Sequence, residues 1–179
     1  SNPAQNYVSA PVQRDHSDNF DVRLDHRLTA RDELTGRYSF SDRGLFEPFT
    51  GASFAQFPGF GSNVPRRAQN AVLGYTRVFT PALINELRLG YNRVAIGVFQ
   101  QNQATDLNAQ VGLPKLSSNA RDYGLTHTSL IGYSPIGDEY NIPQASTSNT
   151  YQITNTMTWS RGRSLWKLGG EMRKFDQRA

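Results

Sequence analysis

Three pairs of segments in this chain alternate apolar and polar residues with a period of two. Phe20, Val22, Leu24, His26 and Leu28 alternate with Asp21, Arg23, Asp25 and Arg27, the signature of a strand with one apolar face. A polar turn through Ala30, Arg31 and Asp32 leads into Leu34, Gly36, Tyr38 and Phe40 against Thr35, Arg37 and Ser39, which reads as the returning strand of a hairpin over about 19–41. A second hairpin, about 69–94, sets Ala71, Leu73, Tyr75 and Phe79 beside Leu87, Leu89 and Tyr91, with Thr80, Pro81 and Ala82 turning between them. The third, about 150–175, sets Tyr151, Ile153, Met157 and Trp159 beside Trp166, Leu168, Gly170 and Met172, with its turn centred on Arg161 and Gly162. No segment carries a 3.6-residue period capped at both ends, so the chain reads as all-β with about six antiparallel strands.

The connections between hairpins differ in kind from the turns within them. About 42–68 and 97–149 are long and rich in Gly, Pro, Ser and Asn, and 1–17 is irregular. Soluble domains seldom carry structureless connections beyond roughly 12 to 15 residues, whereas a transmembrane β-barrel has short turns at one end and long loops at the other. The alternating stretches are about ten residues long, which matches the roughly 9 to 11 of a tilted membrane-spanning strand. The longest apolar runs, such as Ala71 to Leu73, exclude a transmembrane helix and leave a barrel open. Tyr38, Phe40, Tyr75, Phe79, Tyr91, Tyr151, Trp159 and Trp166 lie toward strand ends, where an aromatic belt meets lipid headgroups. The opposite faces carry Asp21, Arg23, Asp25, Arg37, Glu86, Arg88, Lys167 and Glu171, which suit a wet lumen. A soluble sandwich alternates in the same way, so the pattern alone leaves both architectures standing. Tyr123, Leu125, His127, Ser129, Ile131 and Tyr133 also alternate and suggest one more strand inside the second long loop. There is neither an initiator Met nor a signal peptide, so the chain reads as mature, trimmed or cut from a longer one.

Asp25-His26-Arg27-Leu28-Thr29-Ala30-Arg31-Asp32-Glu33-Leu34-Thr35-Gly36-Arg37-Tyr38-Ser39-Phe40 resembles the first barrel hairpin of TonB-dependent outer-membrane receptors, above all the Oar-like branch with its N-terminal carboxypeptidase-regulatory-like domain. Val72-Leu73-Gly74-Tyr75-Thr76-Arg77-Val78-Phe79-Thr80-Pro81, Asn85-Glu86-Leu87-Arg88-Leu89-Gly90-Tyr91-Asn92-Arg93 and Trp166-Lys167-Leu168-Gly169-Gly170-Glu171-Met172-Arg173 resemble the same branch, in the same order. The resemblance implies a segment, over about 18–176, of a receptor that imports a bulky solute such as a metal chelate or an oligosaccharide. It places that receptor in the outer membrane of a Gram-negative bacterium, with TonB supplying the force. No plug domain or TonB box stands before the first hairpin in these 179 residues. The segment is therefore expected to be inactive alone and to have as partners the outer-membrane lipid, the plug and the other barrel strands. Isolated, it is expected either to self-associate through its strand edges or to adopt some other packing.

Chemistry of its own is not expected. With no cysteine, thiolate metal sites and cysteine nucleophiles are excluded. His16, His26 and His127 share no ligand spacing, so no metal or other cofactor is assigned. No nucleophile elbow, zinc-protease motif or phosphate loop is present. The carboxylate pairs Asp21 with Asp25 and Asp138 with Glu139 read as solvated strand and loop charges and not as a glycosidase pair. A net charge of +4, spread along the chain, does not point to nucleic acid. Arg66-Arg67 and Arg161-Gly162-Arg163 read as basic flanks of strands at a charged membrane surface. Phe46, Phe49, Phe54, Phe57 and Phe60, spaced by Gly and Pro, are the candidate ligand-binding residues: exposed rings on such a loop stack on sugars or grip an apolar chelate. Packing of those rings against the rim or the other long loop is the competing reading.

Overall fold

The computed structural model describes residues 7–49, 51 and 53–179. Six strands, β1 (Arg14–Arg27), β2 (Asp32–Glu47), β3 (Ser62–Thr80), β4 (Leu83–Gln100), β5 (Gln144–Arg161) and β6 (Ser164–Arg178), form one antiparallel sheet in sequence order. A four-residue helix, α1 (Leu107–Gln110), and a 3-10 turn at Ala120–Asp122 lie between β4 and β5. The all-β architecture is as the alternation indicates. The sheet does not close, and β1 and β6 stand at the two ends of its order.

The strands run 14 to 19 residues, longer than the alternating stretches. In β2 the extension is Ser41 to Glu47, and in β3 it is Ser62 to Ala68. Polar residues occupy both faces there, so the period-two signal fades although the ladder of backbone hydrogen bonds continues. The irregular connections shrink accordingly, to 48–61 and 101–143. Arg66 and Arg67 thus belong to β3 and not to a loop end. Arg67 donates to both carboxylate oxygens of Asp42 at 3.0 and 3.1 Å and lies over the Phe40 ring. The extra strand expected at 123–133 is absent; only the pair Thr128 and Ile136 forms a bridge. The reason lies in the acceptors. The Leu125 amide donates to the Asp138 carboxylate at 2.7 Å and the Thr126 amide to Asn108 Oδ1 at 2.9 Å, so side chains replace a neighbouring strand.

The turns within hairpins are tight. Gly162 at φ +61° with Arg163 makes the two-residue link from β5 to β6, and glycine at the first central position suits a II′ turn. Between β1 and β2, Thr29 donates its hydroxyl to Asp32 at 2.5 Å while the Leu28 amide donates to the Asp32 carbonyl at 2.9 Å. Thr80 accepts from the Ala82 amide at 3.2 Å at the next turn.

Residue contacts divide the chain into two units. The sheet unit comprises Asp18–Asp42, Arg66–Ala95 and Ser146–Ala179, and the loop unit comprises Arg43–Pro65 and Ile96–Ala145 with the N-terminal stretch through Ser17. The sheet unit is inside out by the standard of a water-soluble fold. Across β5 and β6, Ile153 pairs with Met172, Met157 with Leu168 and Trp159 with Trp166, and all six side chains are exposed, Met157 at 40 % and Leu168 at 69 %. The threonines between them, Thr154, Thr156 and Thr158, are the half-buried ones. Phe20, Val22 and Leu24 of β1 are likewise exposed, with Phe20 against Tyr38 and Phe40 at ring separations of 5.9 and 5.2 Å. A sandwich would bury these side chains against a second sheet. Among the described residues the buried apolar side chains are Leu45, Ala55 and Val64, all in the loop unit.

On the other face charges meet in pairs. Arg37 bonds Asp21 at 3.1 Å, Arg23 bonds Asp25 at 2.8 Å, and Arg88 with Glu86 and Arg173 with Glu171 are in ion-pair contact. An apolar face of continuous rings and aliphatic chains over a polar face of neutralised charge is the surface arrangement of a sheet with lipid on one side and water on the other. Met157→Arg, one pleat inward from Trp159, is therefore expected to reduce membrane insertion by roughly 1–3 kcal/mol, between the cost of a cation at the interface and at the midplane. Thr156→Arg, one residue along, is expected to be tolerated. Partition of the two variants into outer-membrane vesicles, followed by urea unfolding, distinguishes these outcomes, and equal behaviour would refute the facing assignment.

Candidate functional site: a loop unit with a polar core

The loop unit is built on hydrogen bonds and not on apolar burial. Asn102 donates from Nδ2 to the Gly59 carbonyl at 2.6 Å and to Asp138 at 3.3 Å. The Gln101 amide donates to the Gly61 carbonyl at 2.7 Å, and the Gly61 amide returns a bond to Gln101 Oε1 at 3.3 Å. These bonds tie the 48–61 connection to the 101–143 connection. Asn108, on α1, donates to Thr126 Oγ1 at 2.8 Å and accepts from the Thr126 amide, while Asp106 caps the helix by accepting from the Ala109 amide at 3.0 Å.

Asp138 is the centre of this network. It is 6 % exposed, which corrects its reading as a solvated loop charge, and it accepts from the Leu125 amide and from Asn102. The backbone admits the carboxylate because residue 124 is glycine: a Cβ there would come within 2.6 Å of Asp138 Oδ2. Gly137 is required for two reasons, a φ of +104° and a Cβ position only 2.4 Å from the Thr126 carbonyl oxygen. Burial pushes the Asp138 carboxyl above the ordinary range, against the lowering effect of its hydrogen bonds. Burial raises Glu139 as well, with the charge of Glu47 adding to it.

The five phenylalanines are all half-buried and enter separate contacts. Phe54 meets His127 at 6.0 Å and Tyr140 at 5.5 Å, so this ring packs on the second connection. Phe57 meets Tyr7 at 5.6 Å, and the Arg14 guanidinium lies 4.9 Å above Phe46. Phe49 and Phe60 belong to the first connection and its flank without a ring partner among the described residues. Phe46 also lines an open cleft of about 610 Å³ with Phe99, Gln100 and Gln101. A narrower cleft of about 380 Å³ lies within the second connection, lined by Gln100, Lys115, Tyr123, Asp138 and Glu139 among others. Of its groups, sequence reasoning singled out only Asp138, Glu139 and the alternating stretch from Tyr123. Gln100 and Asn108 carry no motif, and nothing local marks them as buried.

Among the described residues no group of three or more His, Asp or Glu is placed to hold a metal ion. His16 and His26 lie on β1, and His127 sits edge-on to Phe54 and Tyr140. The carboxylates Asp21 and Asp25 are engaged by Arg37 and Arg23.

An inverted sheet whose strands are joined in hairpins by short turns, with long connections from one hairpin to the next, defines a membrane β-barrel protein. A family model described as Outer membrane beta barrel domain matches residues 1–179, and the chain belongs to that family. Its place is the outer membrane. No curated protein and no solved structure matches the chain.

The raised carboxyls set the sign of a pH effect. Folded Asp138 and Glu139 hold protons that the opened chain releases, so their contribution is most favourable below the ordinary carboxyl values of 3.8 and 4.5 and is lost as pH rises through the raised ones. Protection of the Leu125 amide from hydrogen exchange, corrected for intrinsic rate, is expected to fall as pH rises above the ordinary carboxyl range. Asp138→Asn is expected to flatten that fall, and an unchanged slope would contradict the assignment. Gly137→Ala is expected to weaken protection at Thr126 by roughly 1–3 kcal/mol, with the β5 amides unaffected.

Proposed function

We propose that the chain is part of the barrel wall of a TonB-dependent receptor of the Oar-like branch, in the outer membrane of a Gram-negative bacterium, and that this receptor imports a bulky solute. The chain contributes strands and a loop unit and performs no catalysis. The metal-chelate and oligosaccharide classes both fit such a receptor, and the five loop phenylalanines are the residues proposed to meet the solute. Its partners are outer-membrane lipid, the remaining barrel strands and a plug, and through the plug TonB.

The observation that carries this reading is the pairing of an exposed apolar sheet face with a six-stranded sheet that does not close on itself. Six strands are fewer than the eight of the smallest single-chain barrels. A sheet open in lipid is costly, because backbone groups left without a partner there cost several kcal/mol each, and a closed wall of at least eight strands removes that cost. Support for the receptor branch comes from the four resembling stretches, which fall on the β1–β2 hairpin, the second half of β3, β4 and β6.

Antibody capture of the sequence from native outer membranes tests the proposal. The expected product is a detergent-requiring polypeptide several times heavier than 20.0 kDa that cross-links to TonB when the inner membrane is energised. A 20.0 kDa species that sediments as a soluble particle without detergent would overturn it and favour a soluble binding module or self-assembling subunit. A heavy detergent-requiring polypeptide that never cross-links to TonB would leave the barrel and remove the receptor.

A further inference from the structure

We propose that the 380 Å³ cleft of the loop unit is a binding site for an organic cation, an ammonium or guanidinium group of the kind that ends a lysine or arginine side chain in a peptide. The argument begins with a contrast in how the molecule treats its carboxylates. In the sheet unit Asp21, Asp25, Asp42, Glu86 and Glu171 each have an arginine in ion-pair contact. The cleft is lined by four more acids, Asp106, Asp122, Asp138 and Glu139. Among the described residues none of these four is in ion-pair contact with a lysine, arginine or histidine.

Three of the four are held by neutral donors only: Asp106 by the Ala109 amide, Asp122 by the Ser117 hydroxyl at 2.9 Å, and Asp138 by Leu125 and Asn102. Glu139 has no hydrogen-bond partner among the described residues, although it is half-buried and near the charge of Glu47. A second, independent observation points the same way. Gln100 lines the cleft and is only 4 % exposed; its Nε2 donates to the Tyr123 carbonyl at 3.1 Å, yet its Oε1 has no donor among the described residues. An acceptor without a donor and four carboxylates set against one ammonium, that of Lys115, whose charge acts on Asp106, ask for the same thing, a further positively charged group rich in N–H. The walls suit such a guest. Tyr123 already carries a cation, the Lys115 ammonium 4.6 Å from its ring centroid, and Tyr140 presents a second ring to the cleft. A neutral sugar would leave the acid excess uncompensated, and an anionic chelate would add to it.

This site stands apart from the transport reading, because binding needs only the folded loop unit. The probe is agmatine, which carries a guanidinium and an ammonium group, measured by equilibrium dialysis against the full chain in detergent. Saturable binding is expected, weakened roughly tenfold by Glu139→Gln or Asp122→Asn, which remove carboxylates that are not part of the buried network. Glu171→Gln, whose acid is already paired in the sheet unit, is expected to change nothing. Pentane-1,5-diol and maltotriose are expected not to compete. Absence of saturable agmatine binding, binding indifferent to both cleft substitutions, or displacement by either neutral compound would each overturn the proposal.

Discussion

A backbone amide in hydrocarbon has no water to bond, and everything else in this chain follows from meeting that requirement. A sheet meets it everywhere except along its two edges, so the strands can turn any side chain they like toward the outside. They turn Phe20, Leu24, Met157, Trp159, Leu168 and Met172. The result dispenses with the buried apolar core that a soluble domain of this length needs, because the apolar side chains find their partner in lipid. The same requirement explains why the tight turns stay at two to four residues.

Charge is handled differently in the two units. On the sheet, acids and arginines alternate closely enough to neutralise one another at the surface, with contacts such as Arg37 to Asp21 made across strands. Such exposed pairs add little to stability, typically below about 1 kcal/mol each. Their consequence is a polar face with little net field. In the loop unit the carboxylates near Asp138 take their bonds from amides and hydroxyls, so the negative charge there is left standing.

How far all this could be read in advance depended on which signal each part left in the chain. The sheet was legible because facing is periodic: lipid and water impose the alternation on Tyr151 to Trp159 directly. Strand length was not, since beyond Phe40 and before Gln69 the few apolar residues, Leu45, Phe46 and Val64 among them, do not alternate and the ladder persists without a pattern. The loop unit was mostly hidden. Asp138 and Gln100 are buried, and Asn102 half-buried, in contacts with Leu125, Tyr123 and Gly59, pairings that no spacing announces. The phenylalanines stood out by composition, but Phe46, Phe54 and Phe57 went to three different partners, which composition does not fix.

The scarcity of buried apolar side chains in the loop unit has a calorimetric meaning. Heat capacity rises on unfolding in proportion to the apolar surface released and falls with the polar surface. A unit whose interior is Gln100, Asn108, Ser62 and Asp138 beside Leu45, Ala55 and Val64 releases a mixture in which the two effects largely offset. Its stability curve is accordingly flat, without the pronounced maximum near room temperature that apolar cores produce.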